Sequence, residues 1–329
     1  MASVLENVLN SRLNASIIPN VSVNITYTDA GFFKLRSNKI FQLDIAGNKI
    51  GETNILHPSS VAQDSKLDLL VCCETIVNRD SIHQDTIGAI ERIQLSKFGF
   101  RLGPALPTGS TSIVWKERRS PKRRFSSIIV VSGNQYIASR IGPDNSSPSD
   151  PDSRLLWFKK TDSLITPISD LQTGVGSGIT FLNKPTGLIS FPRQKSFIVT
   201  QTSEGVSYGA ILMVYIHDIE SERWIPGFDP SIPSQRVDFI TPNQFSRANG
   251  GTLDPNRGDI FIVNVVNDSS DYAVFKFDIK GKFKKESIHP YSVSPPLLYP
   301  ISAAYFDKVI YIAQPTRINR FKLSSDFNH

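Results

Sequence analysis

A seven-residue run of β type recurs six times along this chain, and no other feature limits its fold as strongly. The copies are Lys39-Ile-Phe-Gln-Leu-Asp-Ile, Ala89-Ile-Glu-Arg-Ile-Gln-Leu, Arg154-Leu-Leu-Trp-Phe-Lys-Lys, Ala210-Ile-Leu-Met-Val-Tyr-Ile, Ala273-Val-Phe-Lys-Phe-Asp-Ile and Arg317-Ile-Asn-Arg-Phe-Lys-Leu. They lie 50, 65, 56, 63 and 44 residues apart. Large residues alternate within each run and a polar turn follows, the pattern of a strand with one face buried. Spacings of this size suit one small antiparallel sheet per copy, with connections of variable length.

A second, more apolar strand precedes most copies: Leu67 to Cys73, Gln135 to Ser139, Ser196 to Gln201, Asp259 to Asn264 and Val309 to Ala313. Hydrophobicity that hardly alternates means both faces are covered. Before these come segments with small residues, around Pro58-Ser-Ser-Val-Ala, Pro185-Thr-Gly-Leu, Gly250-Gly-Thr-Leu and Pro300-Ile-Ser-Ala-Ala, suited to a strand crowded against an axis. A more polar fourth strand follows each run, as after Asp44 and Asp278. A four-stranded sheet cannot bury its own faces, so such sheets stack radially and close on themselves. The expectation is an all-β chain: a six-bladed β-propeller over residues 15–329, preceded by a short amphipathic helix over residues 1–14. A double sandwich is the competing arrangement. The last copy runs out after three strands, and the N-terminal segment, Ala15 to Ile18 or Val21 to Thr28, is expected to supply the fourth and close the ring.

Pro185-Thr-Gly-Leu with Ser196-Phe-Ile-Val-Thr-Gln, and Val274-Phe-Lys-Phe-Asp-Ile-Lys-Gly, resemble the opening and closing motifs of NHL-type and gluconolactonase or strictosidine-synthase-like six-bladed propellers. Where those repeats end their second strand on Asp, this chain has Cys73, Ser139, Gln201 and Asn264. The NHL resemblance implies a non-enzymatic platform for a protein or RNA partner. The gluconolactonase resemblance implies a metal-dependent lactonase or esterase at the mouth of the central channel. On that likeness Asn183, Asn249 and Asp254 stand where metal ligands would be sought.

Charge adds a more local signal. The chain carries a formal +6. In Trp115-Lys-Glu-Arg-Arg-Ser-Pro-Lys-Arg-Arg-Phe the cations Lys116, Arg118, Arg119, Lys122, Arg123 and Arg124 oppose only Glu117, and removing them leaves the rest near neutral. Clustered Arg and Lys fork onto anionic oxygens, so Arg118, Arg119, Lys122, Arg123 and Arg124, with Trp115, form the candidate binding patch. The same run reads as a nuclear-address peptide. The connections from second to third strands, Glu74 to Gly88, Arg140 to Ser153, Thr202 to Gly209 and Val265 to Tyr272, are long and acidic. Their elaboration on one rim points to use in binding, and Asp144, Asp150 and Asp152 are oxygen donors that would suit calcium.

Other chemistries find little footing. Cys72 and Cys73 are adjacent, and neighbours on a strand point to opposite faces, which rules out a disulfide framework. His57, His83, His217, His289 and His329 show no metal spacing, and the sequence has no nucleophile elbow or P-loop. With no cationic leader and no apolar run long enough for a membrane helix, the expected setting is cytoplasmic or nuclear. The leading expectation is thus a scaffold propeller that needs no cofactor and engages a macromolecule through its loop-rich face. A channel hydrolase and a structural subunit of a larger assembly are the alternatives, and a small-molecule ligand remains open.

Overall fold

The structure, a computed structural model, describes residues 23–323 apart from a number of connections, among them 79–83, 118–122, 143–151, 202–210, 225–237, 241–247 and 265–271. The first sheet holds β1 (Val23–Thr28), β2 (Gly31–Arg36), β3 (Lys39–Leu43) and β4 (Lys49–Asn54). The second holds β5 (Ser60–Ser65), β6 (Asp68–Asn78) and β7 (Gln84–Gln94). It is completed, after the small ladder of β8 (Ser96–Lys97) and β9 (Pro104–Ala105), by β10 (Thr111–Lys116). The third holds β11 (Arg124–Ser132), β12 (Gln135–Ile141), β13 (Arg154–Thr161) and β14 (Leu164–Gln172), and a two-residue ladder of β15 (Val175–Gly176) and β16 (Ile179–Thr180) follows. The fourth comprises β17 (Pro185–Phe191), β18 (Ser196–Gln201), β19 (Ile211–Asp218) and β20 (Arg223–Trp224), with β21 (Asp238–Ile240) also paired to β19. The fifth is β22 (Ala248–Leu253), β23 (Ile260–Asn264), β24 (Val274–Phe277) and β25 (Phe283–Ile288). A last sheet has three strands, β26 (Ser302–Phe306), β27 (Val309–Ala313) and β28 (Ile318–Lys322).

Each inner strand packs against the next around the axis, and β1 packs on β26, so the sheets form a closed ring. Among the described residues the chain is therefore an all-β propeller with five complete blades and a three-stranded sheet. Six equal four-stranded blades, the arrangement expected from sequence, are not what is seen. The repeated runs are third strands, the apolar runs second strands and the small-residue segments inner strands, as the sequence pattern indicated. One assignment differs. Val23–Thr28 does not complete the last sheet; it pairs with Gly31–Arg36 as the inner strand of the first. Ala15 to Ile18 and the expected helix 1–14 lie outside the described residues.

The core sits in the seams between sheets. Phe33, Leu35 and Ile40 of the first sheet pack with Val61, Leu69, Val71 and Cys73 of the second. The opposite face of β6 gives Leu70 and Cys72 to the seam with the third sheet, beside Phe125, Tyr136 and Phe158. Adjacent Cys72 and Cys73 thus serve different seams, each as a small buried hydrophobe with a free thiol. Burial pushes both thiols well above the ordinary thiol range.

Hydroxyls stitch the inner strands together. Ser59 Oγ donates to Phe125 O (2.6 Å), Ser126 Oγ to Pro185 O (2.5 Å) and Thr186 Oγ1 to Ala248 O (2.8 Å), while Asn249 Nδ2 donates to Ile301 O (3.1 Å). One residue further along, Ser60 accepts from Ile128 N, Ser127 from Leu188 N and Ser302 from Ile25 N. Gly187 and Gly250 stand at this second position in the fourth and fifth sheets. A Cβ on Gly187 would lie 2.5 Å from Gly250 Cα, so the two backbones meet with no space for a side chain.

Candidate functional site

The inner strands enclose a channel of 740 Å³, lined by residues of all six, such as Ile25, Val61, Ile128, Leu188, Gly251 and Ala303. Its hydroxyls are largely committed to neighbouring strands. The two described candidates for a gluconolactonase-type metal set are not brought together. Asn249 and Asp254 are five residues apart on and just beyond one extended strand, which separates them by roughly 16 Å at ~3.3 Å per residue. Asn249 holds Ile301, while buried Asp254 accepts from Asn256 N (2.9 Å) and Arg257 N (3.4 Å), organising the turn between β22 and β23. Asn183 lies outside the described residues. Among the described residues no three of His, Cys, Asp and Glu gather as a metal site.

The face carrying the connections between sheets and between second and third strands is built quite differently. Strands β6 and β7 are 11 residues each and stay paired from Asp68↔Gln94 to Asn78↔Gln84. Glu74 to Gly88, expected as a loop, is thus mostly a ladder that outlasts its neighbours. On the inner side β5 leaves β6 at Ser60↔Cys72, and on the outer side β10 leaves β7 at Ala89↔Lys116. Five further residue pairs, Glu74↔Gly88 to Asn78↔Gln84, project by roughly 16 Å at ~3.3 Å per residue. Ile76 on this projection is 54% exposed.

The basic run is fastened at the root of that hairpin. Gly88 N–H donates to Arg123 O, and Glu117 N–H donates to Gly88 O, both at 2.9 Å. Residues 117 and 123, the two ends of the basic connection, therefore meet at a single glycine. A Cβ there would lie 2.7 Å from Arg123 O and 3.0 Å from Arg124 Cα. Side chains lock the same points. Arg123 Nε donates to Asp152 Oδ1 at 2.6 Å, and Arg140 Nη1 donates to both Glu117 oxygens at 3.2 Å; all four side chains are buried. Arg140 Nε adds a bond to Asp152 O (2.9 Å), tying the two pairs into one network. Buried Glu74 accepts from Arg124 Nε (2.6 Å) and pairs with His57 Nδ1 (2.8 Å), so one carboxylate joins three segments of chain.

The expected patch thus divides. Arg123 is an internal anchor, Arg124 is 57% exposed but ion-paired, and the Trp115 ring packs against Phe158 (5.3 Å). Arg118, Arg119 and Lys122 lie outside the described residues, as do Asp144 and Asp150. Asp152, the third of the calcium donors considered, is turned inward onto Arg123 and Arg140. Sequence reasoning missed the anchoring residues Glu74, Gly88, Glu117, Arg140 and Asp152. The opposite charges of Glu117 and Asp152 against Arg123 and Arg140 at strand ends are the signal the sequence holds, and nothing linear connects them.

No protein-family model and no curated protein sequence matches this chain. Solved structures do. A chain of the nidogen/laminin complex superposes with a TM-score of 0.52 at 12% identity, covering 92% of this chain and 94% of that one. A putative oxidoreductase (glucose dehydrogenase) of Thermus thermophilus gives 0.55 at 9% identity, covering 93% and 98%. At such identities the likeness concerns the fold, and the class it defines is the β-propeller. Nothing more particular than that class is shown.

Proposed function

We propose that this propeller is a non-enzymatic binding or scaffold module, and that it engages an acidic protein surface through the face bearing the long hairpin and the basic connection. The supporting observation is the double pinning at Gly88. It fixes residues 117 and 123, the ends of the connection whose sequence carries Arg118, Arg119 and Lys122, at the root of the projecting hairpin, on which exposed Ile76 offers an apolar contact. A protein partner fits better than single-stranded RNA. RNA sites of this kind use aromatic platforms for base stacking, and Trp115, the aromatic residue of the patch, is spent on Phe158.

The test replaces Arg118, Arg119 and Lys122 together by alanine, leaving the anchors intact. Binding of a fluorescent poly-glutamate peptide and of poly(U) RNA is then measured over a salt series. The reading expects the peptide to bind the native chain and to lose about tenfold or more in the triple variant. Peptide binding that survives the triple change refutes it. Tight poly(U) binding, with a log-log salt slope that falls by about one unit per cation removed, would put a nucleic acid in the partner's place.

A further inference from the structure

A second surface lies in a different seam, between the last sheet and the first. Among the described residues nothing pairs with the outer edge of β28. Arg317 O accepts from Gln314 N and Leu323 N donates to Lys308 O, so the odd residues here turn their backbone groups toward β27. Ile318, Arg320 and Lys322 therefore turn theirs outward, because these directions alternate along a strand.

The side chains beside this edge are strongly cationic. Cross-strand register places Lys34 level with Ile25, Phe41 and Glu52, and Arg36 level with Lys39. Ile25, Phe32 and Leu43 of that face pack with Val309, Tyr311 and Ile318, so it looks onto the last sheet. On the facing side, Arg320 shares a row with Tyr311 and Lys322 a row with Val309. Glu52 is the carboxylate among these strand residues, and it is already held by Lys39 (3.2 Å) and Lys49 (3.1 Å). Asp307 lies at the turn below, within electrostatic reach of Tyr311.

The seam holds one buried donor atom without an acceptor, Arg320 Nε, and the Lys34 ammonium beside an aromatic ring. Lys34 is 6% exposed, and the contact of its ammonium is the Phe41 ring, 5.6 Å from the centroid. Arg320 bonds the Tyr311 hydroxyl but leaves its buried Nε without a partner. Buried cationic donors left unpaired are costly, and an incoming acceptor relieves that cost.

We propose that the open edge of β28 and the cationic seam beside it receive an acidic extended segment of a partner protein, added as a fourth strand to the three-stranded sheet. Backbone bonds to Ile318, Arg320 and Lys322 provide the pairing. Every second residue of the added strand then faces the seam, where carboxylates meet Lys34 and Arg320. Charge argues for a partner over the chain's own first 22 residues, whose Glu6 and Arg12 cancel.

The experiment measures fluorescence anisotropy of a labelled peptide of alternating Glu and Val, with a Lys and Val peptide as control, against the full chain at low and high salt. The acidic peptide is expected to bind and the basic one to fail. Lys322→Pro removes an outward N–H without touching the ladder to β27, and the pair Lys34→Met with Arg320→Gln removes seam charge. Each is expected to weaken binding about tenfold, with circular dichroism confirming the fold. No binding to the full chain overturns the proposal, as does binding that both variants retain. Binding that emerges only after residues 1–22 are deleted overturns it too, because the edge would then belong to the chain's own N-terminal segment. The same measurements are run on the Arg118, Arg119 and Lys122 alanine variant, so that acidic peptide held by the basic connection is separated from peptide held at the seam.

Discussion

Replacing Lys34 by methionine is expected to stabilise the protein near neutral pH, and the size of the gain follows from the seam. Burial first, and the neighbouring Arg36 second, lower the Lys34 amine from the ordinary 10.5 to about 8. In the unfolded chain it titrates at the ordinary value. Between about 8 and 10.5 the unfolded state therefore binds the extra proton, so native stability rises with pH across that window. Below pH 8 both states carry the charge and the folded one bears its full burial cost. A shift from 10.5 to about 8 at 1.36 kcal/mol per unit corresponds to about 3 kcal/mol. Methionine fills a similar volume without the charge. Urea unfolding of the native chain and of Lys34→Met, run in parallel from neutral to strongly basic pH, should show the variant ahead by about 2–3 kcal/mol near pH 7. That lead should close as the pH passes 10. Comparing the two proteins cancels the titration of the other groups. A difference that stays constant with pH, or a variant less stable at neutrality, would refute the burial argument.

Three further outcomes follow from the same geometry. Asp152→Ala leaves Arg123 buried without its carboxylate, and chemical unfolding should register a loss of about 3–5 kcal/mol. Gly187→Ala forces apart two backbones in contact at Gly250, and thermal unfolding should show a destabilisation of about 1–3 kcal/mol, greater than for Ser127→Ala in the neighbouring seam. Cys72 and Cys73 should stay unreactive toward a thiol-disulfide reagent at pH 8 in the folded protein and both react in guanidinium, since each is buried with its thiolate disfavoured. Prompt reaction of either thiol in the native state would contradict its placement in a seam.

The repeated runs revealed third strands because a strand with one sheet face in each of two seams must alternate or be wholly apolar, and both patterns are visible in a single sequence. The same logic explains the misses. Above Cys72 the residues Glu74-Thr-Ile-Val-Asn read as a loop because β6 there leaves the core, and a strand with solvent on its faces carries no burial period. Val21 to Thr28, one of the two segments expected to complete the last sheet, instead supplies the inner strand of the first, because alternation specifies that a strand exists, not which neighbour it pairs with. Asp152 sits in a run rich in Ser, Pro and Asp, the composition of a turn. Its role as an anchor depends on Arg123 and Arg140, which the antiparallel pairing of β11, β12 and β13 within one sheet brings near. A readable trace of the interlocked inner strands did exist: the pairs Ser59-Ser60, Ser126-Ser127, Thr186-Gly187 and Asn249-Gly250 put a small polar residue at the first place of each and a small residue at the second.

The two binding proposals share one physical origin in how a radial fold distributes its polar groups. Inner strands meet at the axis, where crowding selects small residues, and their hydroxyls are consumed in holding neighbours together, as at Ser59, Ser126 and Thr186. Charges that must remain inside the ring find opposite charges at strand ends, as Arg123 does at Asp152 and Arg140 at Glu117. What is left over accumulates where the repetition is broken. One break is the hairpin that outgrows its sheet, with the basic connection fastened at its root. The other is the last sheet, which has three strands among the described residues, with Lys34 and Arg320 in the seam beside its outer edge. Regular blades satisfy their own backbone and charge, so recognition in this chain is expected at these two departures from regularity, not at the channel. Removing the first with the Arg118, Arg119 and Lys122 variant and the second with Lys322→Pro should each weaken a separate binding activity about tenfold. If either change weakened both, the two surfaces would be parts of one larger site, and the independence argued from their different seams would fail.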